Sequence, residues 1–524
     1  MLKKNIINRS DMISCALCMD APCSSACRAI DPAKALFGIW MDDQDVAALR
    51  LKADNPCVDC QTPCEAACVN SGRVPIRQIV CDLYDKVRPE AEIELPQDEN
   101  RLVADLCGIP LENPFLLSSS VVASTYDMCA RAFEAGWAGA CFKTICSLDI
   151  HEASPRFSAI KGDNGSIIGF KNIEQLSDHS VAENMAIFRR LKKNYPNKFI
   201  LASIMGQDEA EWGALAKLCE ENGADAVELN FSCPNMQEDG LGSDIGQIPE
   251  LVEKYTAAAK RSTTIPVLAK LTPNVASMNP AAEAALRGGA DGIAAINTIK
   301  SIVGVNPYTY VSAPAVRGRS AVGGYSGNAV KPIALRFIAE MGQNPALKGM
   351  HISGMGGIET WRDALEFILM GAGSLQITTA VMQYGYRIID DLKEGLNYYL
   401  AQMGIRSVKD IVGAGLASVS DTTDVLERDT VLFPEFEKEK CNGCGRCVIS
   451  CNDGGHQAIR FDGRIPKIDG SRCVGCHLCR LVCPQDAIHP ARKRISRLSS
   501  NAFDTYALKG ASQDEIKSVE QGKK

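Results

Sequence analysis

Residues 223–235 read GADAVELNFSCPN. A mostly apolar run of strand length, 226–231, ends in the group Ser232-Cys233-Pro234-Asn235, with amphipathic helix-length stretches at 208–221 and 248–260. A short apolar run between longer amphipathic ones reads as one β/α unit. Outward from it the alternation repeats. Short apolar or β-branched runs at 114–118, 139–144, 199–204, 266–270, 292–296, 350–353 and 374–377 are spaced by helical stretches such as 126–135, 281–288, 330–341 and 360–370. Eight units in about 300 residues predict an α/β fold, a (β/α)8 TIM barrel over residues 99–430. An open doubly wound sheet is the alternative, but no G-x-G-x-x-G follows the first strand.

Such a barrel carries its chemistry at the C-terminal ends of its strands. Those ends read Ser118-Ser119-Ser120, Lys143-Thr144, Asn230 to Asn235, Lys270, Asn297-Thr298, Ser353-Gly354-Met355-Gly356-Gly357 and Thr378-Thr379. The last two loops offer backbone N–H groups at helix starts, which suits a phosphate monoester. A rim phosphate with two inward lysines, Lys143 and Lys270, suggests FMN, because a fixed ammonium stabilises the negative charge of reduced flavin. Cys233 is the candidate acid or base. A thiol of ordinary pKa, near 8.5, is mostly an acid at neutral pH, and its thiolate is the base in reverse. Cys107, Cys129, Cys141, Cys146 and Cys219 lack such a context and read as small buried hydrophobes. Asn172, Asn230, Asn297 and Thr298 present amide and hydroxyl groups that can serve as donors and acceptors for a planar ligand. The stretch 236–247, MQEDGLGSDIGQ, reads as a lid able to exclude water.

Of the 23 cysteines, nine lie in residues 1–81, eight in 441–483 and six in the 359 residues between. Cys441-x2-Cys444-x2-Cys447-x3-Cys451 and Cys473-x2-Cys476-x2-Cys479-x3-Cys483, followed by Pro484, form the ligand run of a two-cluster ferredoxin. The fourth cysteine of each run crosses over, so Cys441, Cys444, Cys447 and Cys483 are expected on one 4Fe–4S cluster and Cys473, Cys476, Cys479 and Cys451 on the other. This ferredoxin-like domain is placed at 431–492, with a polar tail at 493–524. Near the N-terminus, Cys15-x2-Cys18-x4-Cys23-x3-Cys27 and Cys57-x2-Cys60-x3-Cys64-x3-Cys68 lie in a helical-looking segment and linker, 1–98, and suggest two further clusters. Zinc closes on four ligands and would leave half of either set without a role.

A net charge of -7 and a pI near 5.6 argue against nucleic acid as a partner. The N-terminus MLKKNIINRSDMISCALC has no signal-peptide core, and nowhere do 18 apolar residues run together. A soluble, cytoplasmic protein without membrane contact is expected, where thiols serve as ligands or catalysts and not as disulfides.

Residues 104–400 resemble the FMN barrel shared by dihydroorotate dehydrogenases and dihydropyrimidine dehydrogenases. The likeness is carried by NPFLLSSS (113–120), EAGWAGACFKT (134–144), FKNIEQLS (170–177), GADAVELNFSCPN, AKLTPN (269–274), GGADGIAAINT (288–298), GGYSGNAVKPIALR (323–336) and LQITT (375–379). CNDGGHQAI (451–459), CALCMDAPCSSAC (15–27) and CEAAC (64–68) extend it over nearly the whole chain, the N-terminal part being similar also to the glutamate synthase small subunit. The resemblance implies that uracil or thymine is interconverted with the dihydropyrimidine, a hydride passing between C6 and flavin N5 and Cys233 handling the C5 proton. It implies FMN contacts from Ser118, Ser119, Lys143, Thr144, Lys270, Gly327, Gly356, Gly357, Thr378 and Thr379, and substrate contacts from Asn172, Asn230, Ser232, Asn297 and Thr298. It also implies one N-terminal cluster on Cys15, Cys18, Cys23 and Cys68 and another on Cys27, Cys60 and Cys64. The family's fourth ligand there, a Gln or Glu, falls on Asp82 when counted from Pro75, with Cys81 beside it and Cys57 a further competitor. The FAD and NADPH segment of the single-chain enzyme is not found, the barrel following RPEAEIELPQDEN (88–100), so electrons are expected from a separate flavoprotein reductase. The family further suggests a homodimer. Asn235 stands where the pyrimidine enzymes can carry His, and FKNIEQ replaces the Asn-Pro-Gly turn expected of a dihydroorotate dehydrogenase. A dihydroorotate dehydrogenase and an electron-transfer subunit of a larger complex are the alternatives.

Overall fold

The computed structural model describes residues 12–496 other than 17, 52–53, 71–73, 88–97, 99, 163–164, 236–241, 421, 424, 463–464 and 493–494. The first half of the expected lid, most of the linker and the tail beyond 496 therefore lie outside the described residues. The chain divides into two compact units, Met1–Val419 and Ser420–Lys524.

In the first unit eight strands close into a barrel: β1 Phe115–Leu117, β2 Gly139–Cys141, β3 Phe199–Ile204, β4 Ala226–Asn230, β5 Val267–Lys270, β6 Gly292–Ala295, β7 His351–Met355 and β8 Ser374–Ile377. Neighbours in sequence are neighbours in space and all pairs are parallel, with β8 returning to β1. Every strand residue except His351 is buried, as parallel strands wrapped by helices must be. The helices are Tyr126–Ala135, Val181–Asn194, Glu209–Glu221, Pro249–Ser262, Asn279–Arg287, Lys331–Gln343 and Trp361–Leu369, with Thr379–Tyr384 and Ile388–Gln402 after β8. Side-chain caps start several of them: Thr125 and Asp208 accept from the backbone three residues on, and Ser180 with Glu183 and Thr360 with Asp363 form capping boxes.

Two features were not singled out in the sequence. Insertions after β2 and β6 meet in a four-stranded antiparallel sheet, ordered Ile299–Ser301, Gly323–Ser326, Ile167–Asn172 and Phe157–Lys161. Buried Lys171 fastens it to the adjoining loop by donating to Ala313 O (2.9 Å), Ala321 O (2.8 Å) and Ser320 Oγ (3.3 Å). The second is the docking of the N-terminal helices onto the helices that follow β8. Phe37 and Trp40 meet Tyr384 edge-on at 6.5 and 6.1 Å, Arg50 pairs with Asp391 at 3.1 Å and with Glu394, and Arg387 donates to Cys18 O at 3.0 Å and to Ala16 O.

The second unit is small. Strand pairs Thr430–Val431 with Ile495–Ser496, Pro434–Phe436 with Ile488–Pro490, and Ile459–Asp462 with Ile465–Ile468 frame the helices Arg446–Gly454 and Leu478–Leu481. Among the described residues no helix is long and apolar enough to cross a membrane.

Candidate active site and cluster sites

The segment following β4 owes its position to packing beneath it. Trp212, fully buried, lies 5.0 Å from the Phe231 ring, and a Cβ at Gly246 would collide with the Phe231 carbonyl oxygen. The chain can therefore fold back over Phe231, and the Ser243 N–H donates to Cys233 O at 2.9 Å. Cys233 is 5% exposed. Burial pushes its thiol up from a reference value of 9.0 to about 11, against the pull of the Asn235 backbone N–H and of Lys270 and Lys143.

Above it, at the C-terminal ends of the strands, is a cleft with about 150 Å3 of free space. A buried water needs about 10–15 Å3 by comparison, so this is a ligand-sized site. Lining it are Cys233, the expected flavin residues Ser118, Ser119, Lys143, Thr144, Lys270, Gly327, Gly356, Gly357, Thr378 and Thr379, and the expected ring residues Asn172, Asn230, Asn297 and Thr298. Ser232 is not among them. It lies behind the wall, where its hydroxyl donates to Asn230 Oδ1 (2.9 Å) and accepts from Asn297 Nδ2 (2.8 Å), so it orients two lining amides. Asn230 Nδ2 donates to Thr144 Oγ1 at 2.8 Å. Asn172 comes from the inserted sheet and not from a barrel strand; Asn235 Nδ2 donates to its Oδ1 at 3.2 Å and to Glu174 O at 2.6 Å.

Carboxylates unforeseen in the sequence complete the electrostatics. Lys143 Nζ lies 3.3 Å from Glu152 and 3.8 Å from Glu174, and Glu152 also accepts from the Gln175 backbone N–H. Burial pushes the Glu174 carboxyl up, countered by Lys143. In the barrel interior Glu228, 0% exposed, takes Lys270 Nζ at 3.0 Å, Gln376 Nε2 at 2.9 Å and the Cys141 thiol at 3.3 Å. A glutamate inside the apolar run 226–231 was the one available sign of this, since a buried charge demands a partner.

The cleft suits FMN on two observations. Gln376 Oε1 and Asn235 Oδ1 are buried on its wall without a hydrogen-bond partner in the chain, and buried polar atoms left so call for a ligand or water. At the rim, Gly357 has φ 87° and a Cβ there would press on Gly327 O and Lys331 N at 2.9 Å, so the two glycine loops close on each other with no side chain between.

In the second unit Cys441, Cys444, Cys447 and Cys483 line one cavity, and Cys451, Cys473, Cys476 and Cys479 line another. The Ala458 and Ala487 backbone N–H groups donate to Cys451 Sγ and Cys483 Sγ, each at 3.3 Å. In the first unit Cys15 faces Cys68, Cys23 and Cys18, while Cys57 faces Cys81, Cys60, Cys64 and Cys27. Burial, and then mutual repulsion, pushes Cys15 up to about 12 and Cys57 to about 11. Bound iron reverses that, because a coordinating thiol is deprotonated outright. Among the described residues no three His, Cys, Asp or Glu side chains close on a point as ligands of a single ion do. All 23 cysteines are unpaired thiols.

A closed barrel with a thiol, two lysines and an array of amides at its mouth, joined to paired four-cysteine cavities, defines an iron–sulfur oxidoreductase of the (β/α)8 class. The chain matches the family model for dihydroorotate dehydrogenase over residues 101–400 and that for a 4Fe-4S dicluster domain over 435–489. It is 52% identical over 384 residues to the NAD-dependent dihydropyrimidine dehydrogenase subunit PreA of Escherichia coli strain K12, an alignment spanning 73% of this chain and 93% of that one. It is 36% identical over 357 residues to the chloroplastic dihydropyrimidine dehydrogenase (NADP(+)) of Arabidopsis thaliana, covering 66% and 84%. The crystal structure of DHODH in complex with ferulenol from Eimeria tenella superposes with a TM-score of 0.50 at 18% identity, covering 61% of this chain and 90% of that one, and supports the fold. The chain belongs to the dihydroorotate dehydrogenase family, and within it is an oxidoreductase of the dihydropyrimidine dehydrogenase type.

Proposed function

We propose that this chain interconverts uracil or thymine with the 5,6-dihydropyrimidine in the cleft above the barrel, using FMN, and that 4Fe–4S clusters carry single electrons to it from a separate flavoprotein. The observation that carries the reading is one cleft lined by a buried thiol, two paired lysines and four amide or hydroxyl groups suited to a pyrimidine ring. When bound, FMN supplies hydride exchange at pyrimidine C6 and accepts electrons singly. Lys143, Lys270 and Gln376 would hold its ring, and the Gly327, Gly356–Gly357 and Thr378–Thr379 loops its phosphate. Asn172, Asn230, Asn297 and Thr298 bind and orient the pyrimidine, and Ser232 fixes two of these amides. Cys233 gives a proton to C5 in reduction and removes it in oxidation. Its burial favours the thiol, the form that reduction needs.

The cleft's charges favour an uncharged ring. Both lysines lining it already face glutamates, Lys143 with Glu152 and Glu174, Lys270 with Glu228, which leaves no ready counter-ion for the carboxylate of orotate. For electron entry the relative named as a dehydrogenase subunit supports a partner protein. The cysteine groupings support two clusters in the second unit and two more on Cys15, Cys18, Cys23 and Cys68 and on Cys27, Cys60 and Cys64. Thiols kept free for ligation fit a cytoplasmic setting.

The test is to reduce the anaerobically purified protein chemically and offer uracil, thymine and orotate separately. Dihydrouracil and dihydrothymine should form. Conversion of orotate alone would overturn the reading in favour of a dihydroorotate dehydrogenase, and conversion of none in favour of an electron-transfer subunit. NADH-dependent turnover should appear when a flavoprotein reductase is added.

A further inference from the structure

The second N-terminal cluster has three thiols assigned, Cys27, Cys60 and Cys64, and in the family it resembles an oxygen ligand closes the fourth corner. Here the carboxylate at that position is otherwise engaged. Asp82 Oδ1 makes an ion pair with Lys86 at 2.8 Å and accepts from Gln78 Nε2 at 3.0 Å, and residues 78, 82 and 86 form a single stripe one turn apart, with Gln78 and Lys86 exposed.

One position earlier, on a different face of the helix Ile76–Asp82, Cys81 is half-buried against the core. Asn55 Nδ2 lies 3.6 Å from Cys81 Sγ and donates to it, while Asn55 Oδ1 accepts from the Cys57 backbone N–H at 2.9 Å. One amide side chain therefore ties Cys57 and Cys81 together. Cys57 is buried, and the helix Pro63–Ala67, which carries Cys64, packs against Ile76–Asp82. The Cys60 N–H closes a tight turn onto Cys57 O at 3.4 Å, which holds Cys57 and Cys60 on the same loop. Cys57 and Cys81 are thus held together beside the segments that carry Cys60 and Cys64.

We propose that the second N-terminal cluster is ligated by sulfur at all four corners, the fourth thiolate coming from the Cys57 and Cys81 pair and not from Asp82. The proposal rests on the N-terminal clusters of the proposed function. The N–H to sulfur bond from Asn55 suits a cluster ligand, since hydrogen bonds to the sulfurs and the net charge of the site set the reduction potential. A thiolate in place of a neutral amide ligand adds a negative charge, so this cluster is held at a lower potential than an amide-ligated one in the same surroundings.

The test compares iron content and 57Fe Mössbauer spectra of the full chain, purified anaerobically, as wild type, Asp82→Asn, Cys57→Ala, Cys81→Ala and the double Cys57→Ala/Cys81→Ala. Wild type and Asp82→Asn should both hold about sixteen irons, four cubes of four, and the double variant should lose about four. Whichever single alanine variant loses iron, alone or more severely, names the ligand. The wild-type spectrum should fit thiolate-ligated iron throughout. Loss of about four irons in Asp82→Asn, an intact double variant, or a separate wild-type component of higher isomer shift from an oxygen-ligated iron would overturn the assignment. The wild-type spectrum decides even where the double variant fails to fold. A wild type holding only about eight irons, two cubes, would instead remove the N-terminal clusters themselves.

Discussion

Raising the pH should pull the two directions of the reaction apart, because in the proposed mechanism one needs the Cys233 thiol and the other its thiolate. Burial moves this group from 9.0 to about 11. Two units correspond to about 2.7 kcal/mol and to a roughly 100-fold smaller thiolate population below the pKa. At pH 7 roughly one thiol in 10,000 is then ionised. Oxidation of dihydrouracil should therefore climb about tenfold per pH unit from neutrality toward pH 11, while reduction of uracil, which uses the abundant thiol, stays level with respect to this group. The assay is the initial rate in each direction on one preparation, with a chemical donor for uracil and an artificial acceptor for dihydrouracil. Cys233→Ala should lower both rates by roughly two to four powers of ten, yet leave uracil able to bind and perturb the flavin spectrum, and Cys233→Ser should keep a small remainder. In D2O the wild type should label C5. A plateau in the oxidation rate below pH 9, or near-native turnover by Cys233→Ala, would show that the proton is handled elsewhere.

Three further outcomes follow from contacts away from the reacting atoms. Ser232→Ala removes the hydroxyl between Asn230 and Asn297; at about 1.4 kcal/mol it should raise the KM for uracil roughly tenfold with a smaller effect on kcat, and an unchanged KM would mean the two amides are held without it. Glu228→Gln leaves the Lys270 ammonium, 3% exposed, without its counter-charge, which should cost about 3–5 kcal/mol in urea unfolding; a loss under about 1 kcal/mol, the worth of an exposed pair, would contradict that. Asp43 is 1% exposed with neither carboxylate oxygen hydrogen-bonded, and burial first, then Asp391, raises its pKa well above 3.8. A carboxyl that binds its proton more tightly folded than unfolded weakens the fold as pH rises through its folded pKa. Asp43→Asn should accordingly raise Tm at pH 8, with the gap closing toward pH 4, and a gap that widens on acidification would reverse the sign.

The barrel was legible because its signal is redundant. Eight apolar runs alternate with helical stretches, and misjudging the end of one, as at 139–144 against the observed Gly139–Cys141, leaves the alternation intact. The ferredoxin-like pairing was legible for a different reason, since cysteine spacing encodes which thiols can reach a common point. The inserted sheet had neither advantage. Its strands are three to six residues long and mostly half-exposed, so no clean period-2 pattern marks them. Their pairing also joins residues 157–172 to 299–326 across more than 100 positions, a contact that local reading does not reach.

The site was partly legible along the same line. Residues on barrel strand ends could be placed by counting strands, which brings Cys233, Asn230, Lys143 and Lys270 to one rim. What counting could not supply was pairing. Lys143 and Lys270 read as inward ammonium groups suited to reduced flavin, with no partner identified for either. The glutamates that neutralise them come from elsewhere: Glu152 and Glu174 from the β2 insertion, and Glu228 from the middle of β4, two residues before Asn230 and on the same face of the strand. In the proposed reading, the preference for a neutral pyrimidine over a carboxylated one therefore rests also on glutamates that the sequence did not flag. The insertion that carries Asn172 supplies the partners of Lys143, while the partner of Lys270 comes from the barrel itself, so in the proposed reading the charge balance is shared between the two.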